Sequence, residues 1–324
     1  MSRLGLSSAF AERLLRSGYR VLITGASGWL GRASLEMLSG VYGELFTERV
    51  KCFGSSRRTL QIQSGLAIDQ RPLGEMSAIA RAKYILLHFA CLTKDKVASM
   101  SLDEYLAGNR TISRMSMEAA AEVGVERVLL VSSGAVYQAL TADGSNEREH
   151  PYAAIKLEDE ALFRRFAYDR AGTKVLTVRL FNLGGRYINK VAGYALSSFI
   201  QQARERGAGS SIRINADHPV IRSYVGVGDL LNVAFAHLLD ESTDTYDWFD
   251  TAGDCEVEVL GLAERVRAVV NPSISITRAA LTSTEADRYV GDGTKFRFLA
   301  SRYGLSLQDL DGQVRETAEY LGAL

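Results

Sequence analysis

The sequence predicts an α/β protein built on a doubly wound parallel sheet with a smaller C-terminal α/β domain, and three observations carry that prediction. Short apolar runs alternate with longer helical patterns through the first half of the chain, which is how βαβ units read. The runs are apolar on both faces, as strands buried inside a parallel sheet must be. After Leu180 the texture changes to shorter elements, Gly and Ser pairs and charged helices.

Taken in order, Met1–Gly18 spaces Leu4, Leu6, Phe10, Leu14 and Leu15 among charges, which predicts an amphipathic helix and not a signal peptide. Strands are expected at Tyr19–Thr24, Val50–Phe53, Tyr84–Phe89, Val125–Val131 and Lys174–Leu180. Helices are expected at Leu30–Leu38, Leu102–Val123 and Tyr152–Tyr168, the last two long enough to cover a sheet face. A strand-like run follows near Tyr224–Val227. The organisation predicted is a nucleotide-binding domain over 1–180, rejoined by a segment near 220–253, and a substrate domain over 181–324.

Composition narrows the function. Lys plus Arg and Asp plus Glu balance at 38 each, so nothing favours nucleic acid or an anionic membrane surface as partner. Cys52, Cys91 and Cys255 are far apart and odd in number, a poor disulfide framework with no metal-ligand spacing, and they fit a reducing cytoplasm. No run reaches the roughly 18 apolar residues that span a bilayer.

VLITGASGWLG, Val21–Gly31, runs a strand into three glycines spaced three apart and then into a helix. Gly25 permits the tight turn, Gly28 lets backbone approach a pyrophosphate, and Gly31 lets helix and strand pack closely. The helix N-terminus adds free N–H groups and partial positive charge. This is a Rossmann-type dinucleotide turn, with Ser27, Trp29 and Leu30 completing its cofactor-facing stretch; a ligand-free glycine turn is the bland alternative. The second strand ends in Gly54-Ser55-Ser56-Arg57-Arg58, with no carboxylate for a ribose 2′-hydroxyl. Arg57 or Arg58 can fork onto a 2′-phosphate, which favours NADP over NAD, although a solvated basic loop reads the same way. Asp69 stands where a carboxylate can meet an adenine amino group, or can cap an ordinary turn over Leu66–Gln70.

Tyr152 and Lys156, four apart, share one face of a helix that Pro151 is suited to start. A free tyrosine has a pKa of about 10, and a lysine ammonium beside it stabilises the phenolate. Ser132 and Ser133 stand at the carboxyl end of the strand Val125–Val131, the edge where open α/β sheets bind ligands.

In this company the chain resembles an extended short-chain dehydrogenase/reductase of the nucleotide-sugar epimerase, dehydratase and reductase group, over nearly its whole length. TGASGWLG (Thr24–Gly31) is similar to the family's TGxxGxxG, and His88-Phe89-Ala90 to its H-x-A, adding Phe89 and Ala90 to the cofactor set. SSGAVY (Ser132–Tyr137) resembles S-S-x-x-V-Y and makes Ser133 the catalytic hydroxyl; YAAIK (Tyr152–Lys156) resembles YxxxK. Asn109 falls at the family's helix asparagine, which implies a role in placing the lysine or a relay water; a bond to neighbouring backbone is the alternative. RLFN (Arg179–Asn182), RSYVGVGD (Arg222–Asp229) and RYVGDGTK (Arg288–Lys295) resemble later family segments.

The resemblance implies that Tyr152 exchanges a proton with a sugar hydroxyl while hydride passes to the nicotinamide, that Ser133 steadies the oxygen, and that Lys156 lowers the tyrosine's pKa and binds the nicotinamide ribose. Asn182 and Arg222 are implied substrate contacts at a nucleotide diphosphate, a surface salt bridge being the alternative for Arg222. A homodimer through the helices Leu102–Val123 and Tyr152–Tyr168 is also implied.

There are departures. Gly134-Ala135 replaces the Asp-Glu pair of dehydratases, Asn182-Leu183-Gly184-Gly185-Arg186 replaces N-x-Y-G-P, and no Arg-Pro-Gly-Asp precedes Arg288. Thr141–His150 is short and polar, as a trimmed loop over the site would be. The expected function is therefore a nucleotide-sugar epimerase or 4-reductase. Alternatives are a reductase of another carbonyl compound and a nonenzymatic, cofactor-sensing protein.

Overall fold

The computed structural model describes residues 4–140, 147–205 and 210–322; most of the polar stretch Thr141–His150 therefore lies outside the described residues. The chain divides into two compact units, residues 1–180 with 231–249, and residues 181–230 with 250–324. The segment that rejoins the first unit is 231–249, while 220–230 and 250–253 stay with the second.

The first unit opens with α1 (Ser8–Ser17), β1 (Arg20–Thr24) and α2 (Trp29–Tyr42). A short α3 (Phe46–Arg49) leads to β2 (Val50–Gly54), β3 (Arg58–Gln61), β4 (Ala67–Pro72) and β5 (Tyr84–His88). Then come α4 (Leu102–Val123), β6 (Val125–Ser133), a single turn α5 (Val136–Ala139), α6 (Pro151–Tyr168) and β7 (Lys174–Leu180). The second unit holds β8 (Asn182–Gly184), α7 (Ala195–Arg204), β9 (Ser211–Ile214) and β10 (Val220–Gly226). From its end, α8 (Val227–Leu238) leads back to the first unit and β11 (Tyr246–Asp250). Last come β12 (Glu256–Glu258), α9 (Val259–Val270), β13 (Ser275–Arg278), β14 (Asp287–Tyr289), α10 (Thr294–Arg302) and α11 (Leu310–Tyr320).

Among the described residues, eight strands form the first unit's sheet in the order β11-β7-β6-β5-β1-β2-β4-β3. The β1–β2, β1–β5, β2–β4, β5–β6 and β6–β7 pairings are parallel, and β3 runs antiparallel to β4. Order reverses between β1 and β5, the switch point outside which such sheets open a ligand crevice at their carboxyl ends. The core is what the apolar runs require: Leu22, Phe53, Leu86, Val128, Leu130 and Phe163 form one buried cluster from strands and α6. At about 25 cal/mol per Å² of apolar surface removed from water, burial of this kind is the main stabilising contribution.

Helix α4 ends where the sequence reading put it. It is nucleated by a capping box, in which Ser101 accepts from Glu104 N while the Glu104 carboxylate accepts from Ser101 N. It stops at Gly124 with φ 92°. The β3–β4 pair was not expected. Leu66–Gln70, for which an ordinary turn was the alternative to an adenine contact from Asp69, belongs mostly to β4, because Ile68 and Gln70 are buried and alternate with exposed Ala67 and Asp69.

In the second unit β12-β10-β14 form a sheet that β8 extends through β10, and β13 pairs with β9. Leu196, Ile200, Ile212, Leu262, Val266 and Val314 centre its separate core.

Candidate active site

The glycine turn is built by the carboxyl ends of β1 and β2. Gly25 turns the chain at φ 73°, and its N–H donates to Phe53 O at 2.9 Å. A Cβ on Gly25 would stand 2.7 Å from Ala90 N and from Phe89 C, and one on Gly31 would stand 2.6 Å from Ala26 Cα. Both glycines are therefore demanded by the fold itself. Gly28 differs: a Cβ there meets nothing closer than Gly25 O at 3.3 Å. That contact is tight but far less severe than those at Gly25 and Gly31, and the missing Cβ is what close approach of a pyrophosphate needs. Gly28 is also the N-cap of α2 and provides no side-chain cap to its first turn, where Trp29 and Leu30 are buried. Ser27 holds the turn through its carbonyl, which accepts from Arg32 Nε at 3.2 Å. These residues fit a dinucleotide.

Beyond β2, Ser55 and Ser56 are exposed, and Arg57 is already engaged with Glu75 at 2.6 Å. Arg71 reaches the same carboxylate at 2.8 Å, and hydrogen bonds from Arg71 and Arg57 hold Glu75 below the usual carboxylate range. Arg58 is the first residue of β3 and donates to Ser56 Oγ at 2.9 Å. Asp69 is mid-strand and exposed, accepting from Thr59 across the β3–β4 pair at 3.3 Å. The residue that presses on the end of β2 is its neighbour Gln70, which is 1 % exposed and donates to Ser56 O at 2.8 Å. Sequence reasoning passed over Gln70, although the alternation along β4 is its signal.

At the end of β5, Phe89 N donates to Thr24 O at 3.1 Å and locks the H-x-A turn against β1. His88 lies 2.8 Å from Thr24 Oγ1, and burial, with Lys156 nearby, pulls its pKa down to about 3. It is a neutral core imidazole.

Tyr152 sits in the first turn of α6, which Pro151 starts at N1. One turn on, Lys156 is buried, and its ammonium donates to Val131 O at 3.0 Å, in the strand that ends at Ser133. Burial pulls the Lys156 pKa down, but Cys91, Asp159 and Tyr152 outweigh it and the net shift is upward. Asp159 lies 3.6 Å from the ammonium and accepts from Ser113 Oγ at 2.5 Å. Successive residues of β6 face opposite ways, and the two serines separate accordingly. Ser132 donates to Glu160 at 2.6 Å, whereas Ser133 accepts from Ala135 N at 3.2 Å. Glu160 is also gripped by Arg179 at 2.9 and 2.7 Å. The Arg179 guanidinium lies 4.2 Å from the Trp248 ring and donates to the Tyr137 hydroxyl at 3.0 Å. Neither Asp159 nor Glu160 was singled out from sequence, although i+3 and i+4 from Lys156 is the spacing at which a helix brings side chains together.

Asn109 is bonded to backbone on both sides of its amide. Its amide accepts from Leu92 N at 2.8 Å and donates to Tyr105 O and Leu92 O at 3.1 and 3.4 Å. These bonds fix the chain after β5, as the backbone-bonded alternative expects.

In the second unit, Asn182 donates to Ser223 O and Tyr289 O, tying β8 to its neighbours. Arg222 donates to Asp287 O at 2.8 Å and pairs with the Asp287 carboxylate at 2.6 Å, so it arrives at any ligand already partnered. Both line a cavity of about 220 Å³ with Tyr194, Tyr224, Val257 and Leu262. Arg186, the charge that departs from the family pattern, is buried against Glu316 and Glu319. It braces α11. No group of three or more His, Cys, Asp or Glu is arranged to hold a metal among the described residues, nor is any helix there long and apolar enough to cross a membrane.

Residues 21–247 match the model of the NAD dependent epimerase/dehydratase family. No curated protein matches the chain. Among solved structures, a UDP-N-acetylglucosamine 4-epimerase from Methanobrevibacter ruminantium M1 aligns with a TM-score of 0.69 at 18% identity, over 94% of this chain and 98% of that one. A UDP-glucose 4-epimerase from Thermotoga maritima gives 0.70 at 16% identity, over 94% and 99%. The dTDP-glucose 4,6-dehydratase DesIV from Streptomyces venezuelae, with NAD bound, gives 0.68 at 19% identity, over 94% and 97%.

Proposed function

We propose that this chain, which belongs to the NAD dependent epimerase/dehydratase family, is a nucleotide-sugar epimerase or 4-reductase. One observation carries the reading. Lys156 is buried one helical turn from Tyr152 and hydrogen-bonded to the strand that ends in Ser133, within the unit that also holds the glycine turn.

The glycine turn, the N-terminus of α2, Phe89, Ala90 and the 55–58 loop would hold the dinucleotide. When bound, its nicotinamide supplies and takes back a hydride at a sugar carbinol or ketone carbon. Tyr152 exchanges the matching proton with the substrate oxygen, and the Ser133 hydroxyl steadies that oxygen. Lys156 favours the phenolate by its charge. Asn109 supports the loop after β5, and Asn182 and Arg222 are the candidates for substrate recognition. NADP is preferred over NAD because Arg57 and Arg71 share the single carboxylate of Glu75 while Arg58 bonds only a neutral hydroxyl, an excess of positive charge suited to a 2′-phosphate. A dehydratase is disfavoured, since Gly134 and Ala135 offer no extra acid or base.

A second reading, a reductase of a carbonyl compound outside the nucleotide sugars, is favoured by one observation: Arg222 is committed to Asp287 in a cavity with apolar walls. Incubation with a panel of nucleotide sugars and cofactor separates the two. The preferred reading expects either an epimer with no net change in cofactor absorbance or stoichiometric cofactor consumption. Neither outcome with any sugar of a broad panel would overturn it.

A further inference from the structure

The ammonium of Lys156 stands between two acids on one face of α6. Tyr152 lies four residues towards the helix N-terminus and Asp159 three residues towards the C-terminus, and side chains at these spacings meet on a helix. The Asp159 carboxylate is 3.6 Å from the ammonium, both side chains are at most 5% exposed, and its other oxygen accepts from Ser113 of α4 at 2.5 Å. Val131 O takes one of the three ammonium protons, and Asp159 is a second group facing the cation.

We propose that Asp159 is a positioning residue that shares the Lys156 ammonium with Tyr152, and so keeps the Tyr152 phenol protonated to higher pH than an unshared lysine would. The inference rests on the reading of Tyr152 as the proton-exchanging group. Other ionisable groups also act on the cluster: Cys91 after β5 on Lys156, Tyr105 of α4 and His88 of β5 in contact with its field, and Glu158 beside Asp159. His88 is neutral, and cysteine and tyrosine ordinarily keep their protons at neutrality. Burial pushes the Asp159 carboxyl up on balance, opposed by the Lys156 ammonium 3.6 Å away and the Ser113 hydroxyl. With an ordinary carboxylate pKa of about 4 as its starting point, it is the neighbour of Lys156 to which we assign the negative charge. An anion beside the cation cancels part of the field that would otherwise pull the phenol down. A phenol kept protonated is the form that donates to a carbonyl oxygen under reduction, and the oxidative limb, which needs the phenolate, moves to higher pH.

The test needs no substrate. The protein is labelled with [ζ-13C]tyrosine, the Tyr152 resonance is assigned by its loss in Tyr152→Phe, and its titration is followed in the wild type and in Asp159→Asn. Removal of the charge should lower the Tyr152 midpoint by about one pH unit or more, while Asp159→Glu, which keeps the charge, should stay near the wild type. Asp159→Ser replaces the Asn variant should that fail to fold. An unchanged or raised midpoint in the uncharged variants overturns the inference. Full turnover in Tyr152→Phe would instead overturn the acid–base reading, whatever the titration shows.

Discussion

The ion pair of Glu160 and Arg179 offers the firmest numerical test of how the first unit is held together. Their side chains are 8% and 12% exposed, which places the pair in the buried regime, where deleting one partner strands the other, and not in the surface regime, where a pair contributes little. In Glu160→Ala the guanidinium keeps the Tyr137 hydroxyl and the Trp248 face but loses both carboxylate bonds, and Ser132 loses its acceptor. A cost of about 3 kcal/mol follows for the stranded cation, with roughly 1 more for the serine. Arg179→Met should cost about 3 kcal/mol by the same reasoning, because a buried carboxylate is left with Ser132 alone. The double variant removes both charges and should fall well short of the sum, with a coupling of at least about 2 kcal/mol. Urea unfolding followed by tryptophan fluorescence measures this directly, since Trp29 and Trp248, the two tryptophans, both lie in the first unit. Slopes must match across the four proteins for midpoints to be compared. Additivity within about 0.5 kcal/mol would refute the argument.

Four further outcomes are expected. Tyr152→Phe should abolish turnover with cofactor affinity nearly unchanged, as checked by parallel kinetics and calorimetry. Arg57→Ala combined with Arg58→Ala should weaken NADP far more than NAD; equal losses would show that the loop reads no 2′-phosphate. Gly28→Ala, whose Cβ would be 3.3 Å from Gly25 O, should lower the melting temperature far less than Gly31→Ala, whose Cβ has backbone 2.6 Å away, yet weaken dinucleotide binding at least about tenfold. In the second unit, burial raises the Asp229 pKa from 3.8 to about 6. The folded state therefore favours the protonated acid, and this group lowers stability as pH rises through that window. Asp229→Asn, which can still accept from Gln308 N, should stabilise by up to about 3 kcal/mol at neutral pH, the gain vanishing below about pH 4 in unfolding midpoints.

What was legible in the sequence was whatever local chemistry dictates. The strands buried on both faces are unbroken apolar runs, so β1, β5 and β7 were readable to within a residue or so; α4 was readable because Gly124 ends its period. The β3–β4 pair was not, since its buried apolar positions are only Leu60 and Ile68, too few to show alternation against the surrounding polar residues. Tyr152, Lys156 and Ser133 were found because spacing and strand ends advertise them. Asp159, Glu160 and Arg179 were not, because a charged residue on a helix is ordinarily solvated, and only the fold shows these three to be enclosed. Asn109 and Arg222 were located, but the backbone bonds of the one and the Asp287 pair of the other were not legible; a sequence records a donor without recording what is already bonded to it.

The return of residues 231–249 to the first unit also bears on how the molecule can be made. β7 is an interior strand only because β11 lies beside it, and Trp248, the aromatic face over Arg179, arrives with β11. During synthesis the sheet therefore waits for its last strand until the chain has passed Asp250, holding an open edge of the kind that invites pairing between chains. A fragment stopped at Leu180 would keep every proposed cofactor contact and every proposed catalytic side chain. It should still aggregate, because its edge would be the apolar, largely buried β7 and not the more exposed β11.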